Sequence, residues 1–85
     1  MFMEKPVSHV PHELHEEFPD QTEAIKSLKE SNAHFARIAE AYHELNRAIH
    51  RIETDVEPAS DETLETMKKK RLALKDEIAQ FLAAA

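Results

Sequence analysis

The chain has 85 residues, of which 41% are apolar and 33% charged, and its formal net charge is −6. The absence of cysteine excludes disulfides, a thiolate nucleophile and Cys-based zinc sites, and the absence of glycine argues against phosphate-cradling loops. The net acidity argues against generic nucleic-acid binding, which depends on a basic surface.

The N-terminal segment, predicted over residues 1–19, carries a short amphipathic helix. Leu14 and Phe18 are four residues apart and share one helical face, and Pro19 ends this turn. We favour an intramolecular role, in which both side chains cover part of the next helix; a docking peptide for another protein is the alternative. Because no apolar run approaches a signal-peptide core or the roughly 20 residues of a membrane span, we expect a cytoplasmic protein without membrane contact.

A long helix is predicted over residues 20–54. From Phe35 onward, apolar residues recur at alternating steps of three and four, which is the heptad spacing of a coiled coil. This spacing places the apolar side chains in a single seam along the helix. The seam residues are Phe35, Ile38, Tyr42, Leu45, Ile49 and Ile52.

A turn over residues 55–60 and a second helix over residues 61–82 are predicted next. Pro58 cannot continue a helix, and Ser60 or Asp61 can cap the helix that follows. The second helix repeats the heptad spacing, with one arginine among its seam positions. These positions are Leu64, Met67, Arg71, Leu74, Ile78 and Phe81.

The two helices are predicted to form an antiparallel coiled-coil hairpin over residues 20–85, because a short connection favours antiparallel neighbours. Folding the chain at the turn pairs Ile52 with Met67 and places Glu53 opposite Lys68 on one flank. We expect the stem of Arg71 to pack in the seam and its charged head to reach a carboxylate such as Glu53.

Part of the apolar surface remains uncovered in this hairpin, since the first helix extends beyond the second and a strip of alanine and leucine lies outside the seam. We therefore expect a homo-oligomer, with a dimer favoured, or an unidentified protein partner. The residues of this predicted strip are Ile25, Leu28, Ala36, Ala39, Leu72, Ala79 and Leu82.

Acidic residues cluster at the predicted turn and are followed by the basic run Lys68–Arg71. We favour a role in capping and solubilising the turn. A transcription-machinery effector with an acidic coiled-coil tip is the alternative, and nucleic-acid association through Lys68–Lys70 is a weaker one. The residues of this acidic tip are Glu53, Asp55, Glu57, Asp61 and Glu62.

Four longer stretches of the chain are also informative: HELHEEFP (12–19), IKSLKESNAHFARI (25–38), YHELNRAIHRIE (42–53) and EPASDETLETMKKKRLALKDEI (57–78). They resemble the YdcH-like family of small bacterial proteins. The resemblance implies a cytoplasmic helical hairpin and supplies no catalytic or binding residues to transfer. Asn32 and Asn46 depart from the aspartate expected in many relatives.

Together these features predict a non-enzymatic protein-interaction module that acts as an adaptor or small regulator. No residue pattern in the chain combines a nucleophile, a base and oxyanion donors, so no catalytic residue is predicted. No cofactor and no metal site are predicted either.

Overall fold

The structure is a computed structural model that describes residues 10–54 and 57–84. Its elements are helix α1 (Leu14–Glu17), a 3₁₀ turn (Pro19–Gln21) and helices α2 (Thr22–Ser31), α3 (Ala33–Glu53) and α4 (Asp61–Ala84). No strand occurs in either described range, and the predicted all-α class is confirmed.

The two long helices, α3 and α4, lie against each other and run in opposite directions. The ring of Phe35, in the first turn of α3, lies 5.5 Å from the ring of Phe81 near the end of α4. At the opposite end, Lys68 Nζ lies 2.8 Å from Glu53 Oε2, which confirms the ion pair that the sequence predicts. The finer pairing of individual seam residues stays a prediction.

The connection to α4 ends at a side-chain cap. The backbone N–H of Thr63 donates to Ser60 Oγ at 3.0 Å, which satisfies one of the free donors at the start of the helix. Asp61 and Glu62 occupy the first turn of α4, where the helix dipole stabilises negative charge. The start of α4 at Asp61 thus agrees with the prediction.

The predicted single helix over residues 20–54 is divided in the structure. α2 ends at Ser31, and Asn32 takes an extended conformation with φ −134° and ψ 106°. Its side-chain oxygen accepts a hydrogen bond of 3.0 Å from the backbone N–H of Phe35, so that Asn32 caps α3. An asparagine that can satisfy a helix N-terminus offers the backbone an alternative to a continuous helix.

Because the chain turns at Asn32, α2 packs against α3 instead of projecting beyond it. The core therefore forms where α1, α2, α3 and the end of α4 meet. Its buried residues are Leu14, Ile25, Phe35, Ile38, Ala39, Tyr42, Ile78 and Leu82. The part of the first predicted helix that was expected to extend uncovered beyond the second is thus covered within the chain, with Ile25 only 6% exposed.

Candidate functional site

One face of the α3–α4 pair is covered by residues 10–18, which we call the N-terminal strap. The Tyr42 hydroxyl donates to the carbonyl oxygen of His12 at 2.5 Å. His12 has φ 65°, so the left-handed turn at this point falls on a histidine in a chain that has no glycine. Leu14 is buried in the core, and Phe18 packs against it. This placement supports the intramolecular role favoured for Leu14 and Phe18.

Asn46 is the polar residue that ties the strap to both long helices. Its side chain, 1% exposed, donates to the carbonyl oxygen of Pro11 at 2.8 Å and to Glu13 Oε1 at 3.0 Å. Its own oxygen accepts a bond of 2.9 Å from Arg71 Nη1. A buried amide is therefore satisfied on both its donor and its acceptor side, as burial requires.

The head of Arg71 thus bonds an amide oxygen and not the carboxylate that the sequence suggests. Glu53 instead accepts a hydrogen bond from Lys68, and this bond is the largest influence that lowers the pKa of Glu53. The positive charge of Arg71 lowers that pKa further. The hydrogen bond between Arg71 and Asn46 could not be predicted from the sequence pattern, because Asn46 lies beside the apolar seam and not on it.

Ionisable side chains make further contacts at the edges of the strap. Lys75 Nζ donates to Glu17 Oε1 at 2.6 Å, and this bond lowers the pKa of Glu17 against the opposing effect of partial burial. His12 Nδ1 lies 3.5 Å from Glu17 Oε2, and His43 Nδ1 lies 3.2 Å from Glu13 Oε2. The polar groups on this face therefore have structural partners within the chain.

A second face of the α3–α4 pair carries an open groove of about 620 Å³. Its α3 wall includes Ala41, Leu45 and Ala48, whose spacing of four and three puts them on one side of the helix. In the residues that the structure describes, neither the strap nor α2 lines it. The residues of this α3–α4 groove are Ala41, Glu44, Leu45, Ala48, Arg51, Lys70, Ala73, Leu74 and Glu77.

The predicted strip is divided between the interior and the surface. Ile25, Ala39 and Leu82 are buried inside the chain, whereas Leu72 is 57% exposed. The remaining members, Leu28, Ala36 and Ala79, are half-buried. Burial of three members makes the strip as a whole less suited to contact another molecule than the α3–α4 groove is.

Two members of the acidic tip, Glu53 and Glu57, form ion pairs with neighbouring side chains. Glu53 pairs with Lys68, and Glu57 Oε2 lies 3.2 Å from Arg51 Nε. Asp61 and Glu62 are exposed in the first turn of α4, and Asp55 lies outside the described residues. Across residues 10–54 and 57–84, no three His, Asp or Glu side chains gather in a way that could hold a metal ion.

Among the helices described, none combines the length and the apolar character needed to cross a bilayer.

The sequence profile of a family described as "Protein of unknown function (DUF465)" matches residues 35–82, more than half of the chain. The chain belongs to the DUF465 family. This is a family of small uncharacterised proteins that includes the YdcH-like proteins, so the predicted resemblance is confirmed. Comparisons with curated proteins and with solved structures find no match.

In this DUF465 protein, the matched region contains the whole α3–α4 groove. It runs from Phe35 in the first turn of α3 to Leu82 near the end of α4. The N-terminal strap and α2 lie before the matched residues. A property that family members share through the matched residues therefore depends on α3, α4 and the connection between them.

Proposed function

We propose that this DUF465 protein is a non-enzymatic protein-interaction module, an adaptor or small regulator that binds an α-helical partner in the α3–α4 groove. The observation that carries the proposal is the groove itself, whose apolar centre is formed by Leu45, Ala48, Ala73 and Leu74. The proposal includes coiled-coil packing of α3 and α4 as a hairpin and a cytoplasmic location, as expected from the sequence.

The chemistry of the groove favours a helix as its occupant. Its leucines supply apolar surface, and burying such surface contributes about 25 cal/mol per Å². The alanines at 41, 48 and 73 are small enough to let another backbone approach closely. Amphipathic helices bind in grooves of this kind through residues spaced at three and four along one face.

The arrangement of the other polar groups supports a structural rather than a catalytic role for them. Asn46 bonds the strap and Arg71, while Glu17 bonds Lys75. The hydroxyl of Tyr42 is committed to His12. Groups bound to one another in this way hold the strap in place, which is sufficient to account for their burial.

The proposal is tested by photo-crosslinking in cells from a single position in the groove. A photoreactive amino acid at Ala73 should give covalent adducts with polypeptide, because the side chain at this position would lie against the bound helix. The matched control is Asp76, an exposed residue of the same helix that does not line the groove. Equal adduct yields at both positions, or none at Ala73, would contradict the proposed function.

A further inference from the structure

The charged residues around the α3–α4 groove are sorted by sign along its length. Glu44 of α3 and Glu77 of α4 both line it, as do Arg51 and Lys70. Since α3 and α4 are antiparallel, the two glutamates lie at one end of the groove and the two basic residues at the other. Leucine and alanine occupy the centre between them.

The acidic and basic ends are separated by the same distance on both helices. Glu44 and Arg51 are seven residues apart, as are Lys70 and Glu77, which is two helical turns or about 10 Å. A surface with equally spaced opposite charges is complementary to its own copy when that copy is rotated by a two-fold axis that reverses the direction of the helices.

We infer that the occupant of the α3–α4 groove is a second copy of this chain, packed face to face to form a four-helix bundle. This inference rests on the proposed function and names its partner. The two-fold axis lies in the interface and is perpendicular to the helices, so that α3 packs on α3 and α4 on α4. Glu44 then faces Arg51 of the second copy, and Glu77 faces Lys70 of the second copy.

Two face-to-face dimers are possible, which differ in the direction of the two-fold axis, and the charges favour the one with the axis perpendicular to the helices. A two-fold axis parallel to the helices would place the acidic end of one copy on the acidic end of the other, where like charges repel. The existing partners of these side chains do not oppose the selected arrangement. Arg51 contacts Glu57 at 3.2 Å and Glu77 lies 3.9 Å from His34, both in exposed pairs that contribute little and can be exchanged.

The size of the molecule supports a second copy as the occupant. A chain of this length buries a smaller fraction of its surface than a larger domain does, and a four-helix bundle is a common arrangement in which long helices bury their remaining apolar faces. The alanines near the two-fold axis, Ala48 and Ala73, meet their own copies there and allow the helices to approach closely.

The test begins with the wild-type mass in solution. Sedimentation equilibrium of the full chain at micromolar concentration should give twice the chain mass of 9.8 kDa. One variant, E44K/E77K, makes the groove wholly basic, and a second, R51E/K70E, makes it wholly acidic. Each variant alone should dimerise with a dissociation constant at least tenfold higher than that of the wild type. An equimolar mixture of the two variants should form a one-to-one heterodimer. Circular dichroism checks that both variants keep their helix content.

Crosslinking identifies the face that is used. Since the chain has no cysteine, A48C introduces a single thiol near the proposed axis and should form an intermolecular disulfide on oxidation. D76C, on an exposed part of α4 outside the groove, is the matched control and should remain a thiol.

Three results would overturn the inference. They are a monomeric wild-type chain, charge variants that dimerise as well as the wild type, and a disulfide that forms at D76C as readily as at A48C. If the wild-type chain is monomeric while the photoreactive group at Ala73 still captures another polypeptide, the second copy is excluded and the proposed function stands. If the chain is monomeric and Ala73 captures nothing, both proposals fail.

Discussion

Tyr42 connects the strap to the core through a single hydroxyl group. Its side chain is almost fully buried, and its O–H donates to the carbonyl of His12. Burial, followed by the nearby negative charge of Glu17, raises the pKa of Tyr42 from 10.0 to about 12. Ionisation would bury a negative charge and remove the proton of that hydrogen bond, so the folded chain resists it.

This raised pKa leads to a loss of stability at high pH. The contribution of Tyr42 to stability is fully present below pH 10.0, the unfolded value, and is lost as pH rises through the folded pKa of about 12. Tyr42 is the single tyrosine, so near-ultraviolet phenolate absorbance reports it alone. We expect phenolate formation at about pH 12 or together with alkaline loss of helix. A phenolate transition centred at pH 10.0 in a chain that remains helical would contradict the described burial.

The sequence predicts part of the environment of Tyr42 and not the rest. The heptad spacing identifies it as a seam residue, and it is buried as the spacing implies. The partner of its hydroxyl could not be predicted, because His12 is 30 residues away and its position depends on the path of the strap. Polar contacts over such separations leave no periodic signal in the sequence.

At the scale of the helices and the strap, attachment of the strap depends on Asn46. Replacing Asn46 with alanine leaves the Pro11 carbonyl and the Arg71 guanidinium without this partner in a buried setting, which costs about 1–3 kcal/mol. We expect a corresponding decrease in the free energy of unfolding in urea. The matched control is Arg47→Ala at the next, exposed position, which should change stability by less than about 0.5 kcal/mol.

Limited proteolysis shows whether that loss comes from the strap. A glutamate-specific protease should cut Asn46→Ala faster than the wild type within the strap, at Glu13 or Glu17. The Arg47→Ala control should be cut at the wild-type rate. If Asn46→Ala matches the wild type in both stability and cleavage, the strap is not held by this residue.

The helices themselves were predictable where local signals agree with one another. Pro58 and Ser60 mark the connection, and the heptad spacing on both sides of it indicates two long helices whose flanks bring Glu53 to Lys68. The break at Asn32 was not predictable from periodicity. Apolar residues continue on both sides of it, and a capping asparagine looks like any polar residue on the outer face of a helix.

The break between α2 and α3 at Asn32 determines which apolar surfaces are left uncovered by the rest of the chain. Because α2 packs back on α3, Ile25 and Ala39 of the predicted strip become part of the core. The strap covers a further face through Tyr42 and Asn46. The α3–α4 groove remains, with Leu45 half-buried at its centre although the sequence places it in the intramolecular seam. The sparse apolar content of the chain predicts an interface with another molecule. The location of that interface could not be predicted, because it depends on the turn at Asn32, which the apolar periodicity does not indicate.

Oxidative footprinting in living cells tests whether the α3–α4 groove is occupied. Hydroxyl radicals label leucine side chains according to their exposure, so Leu45 and Leu74 report the groove, and Leu72, 57% exposed and outside it, is the internal control. We expect Leu45 and Leu74 to be labelled less in cells than in the dilute purified chain, with Leu72 labelled equally in both. Equal labelling of Leu45 and Leu74 under the two conditions would contradict a function that depends on this groove.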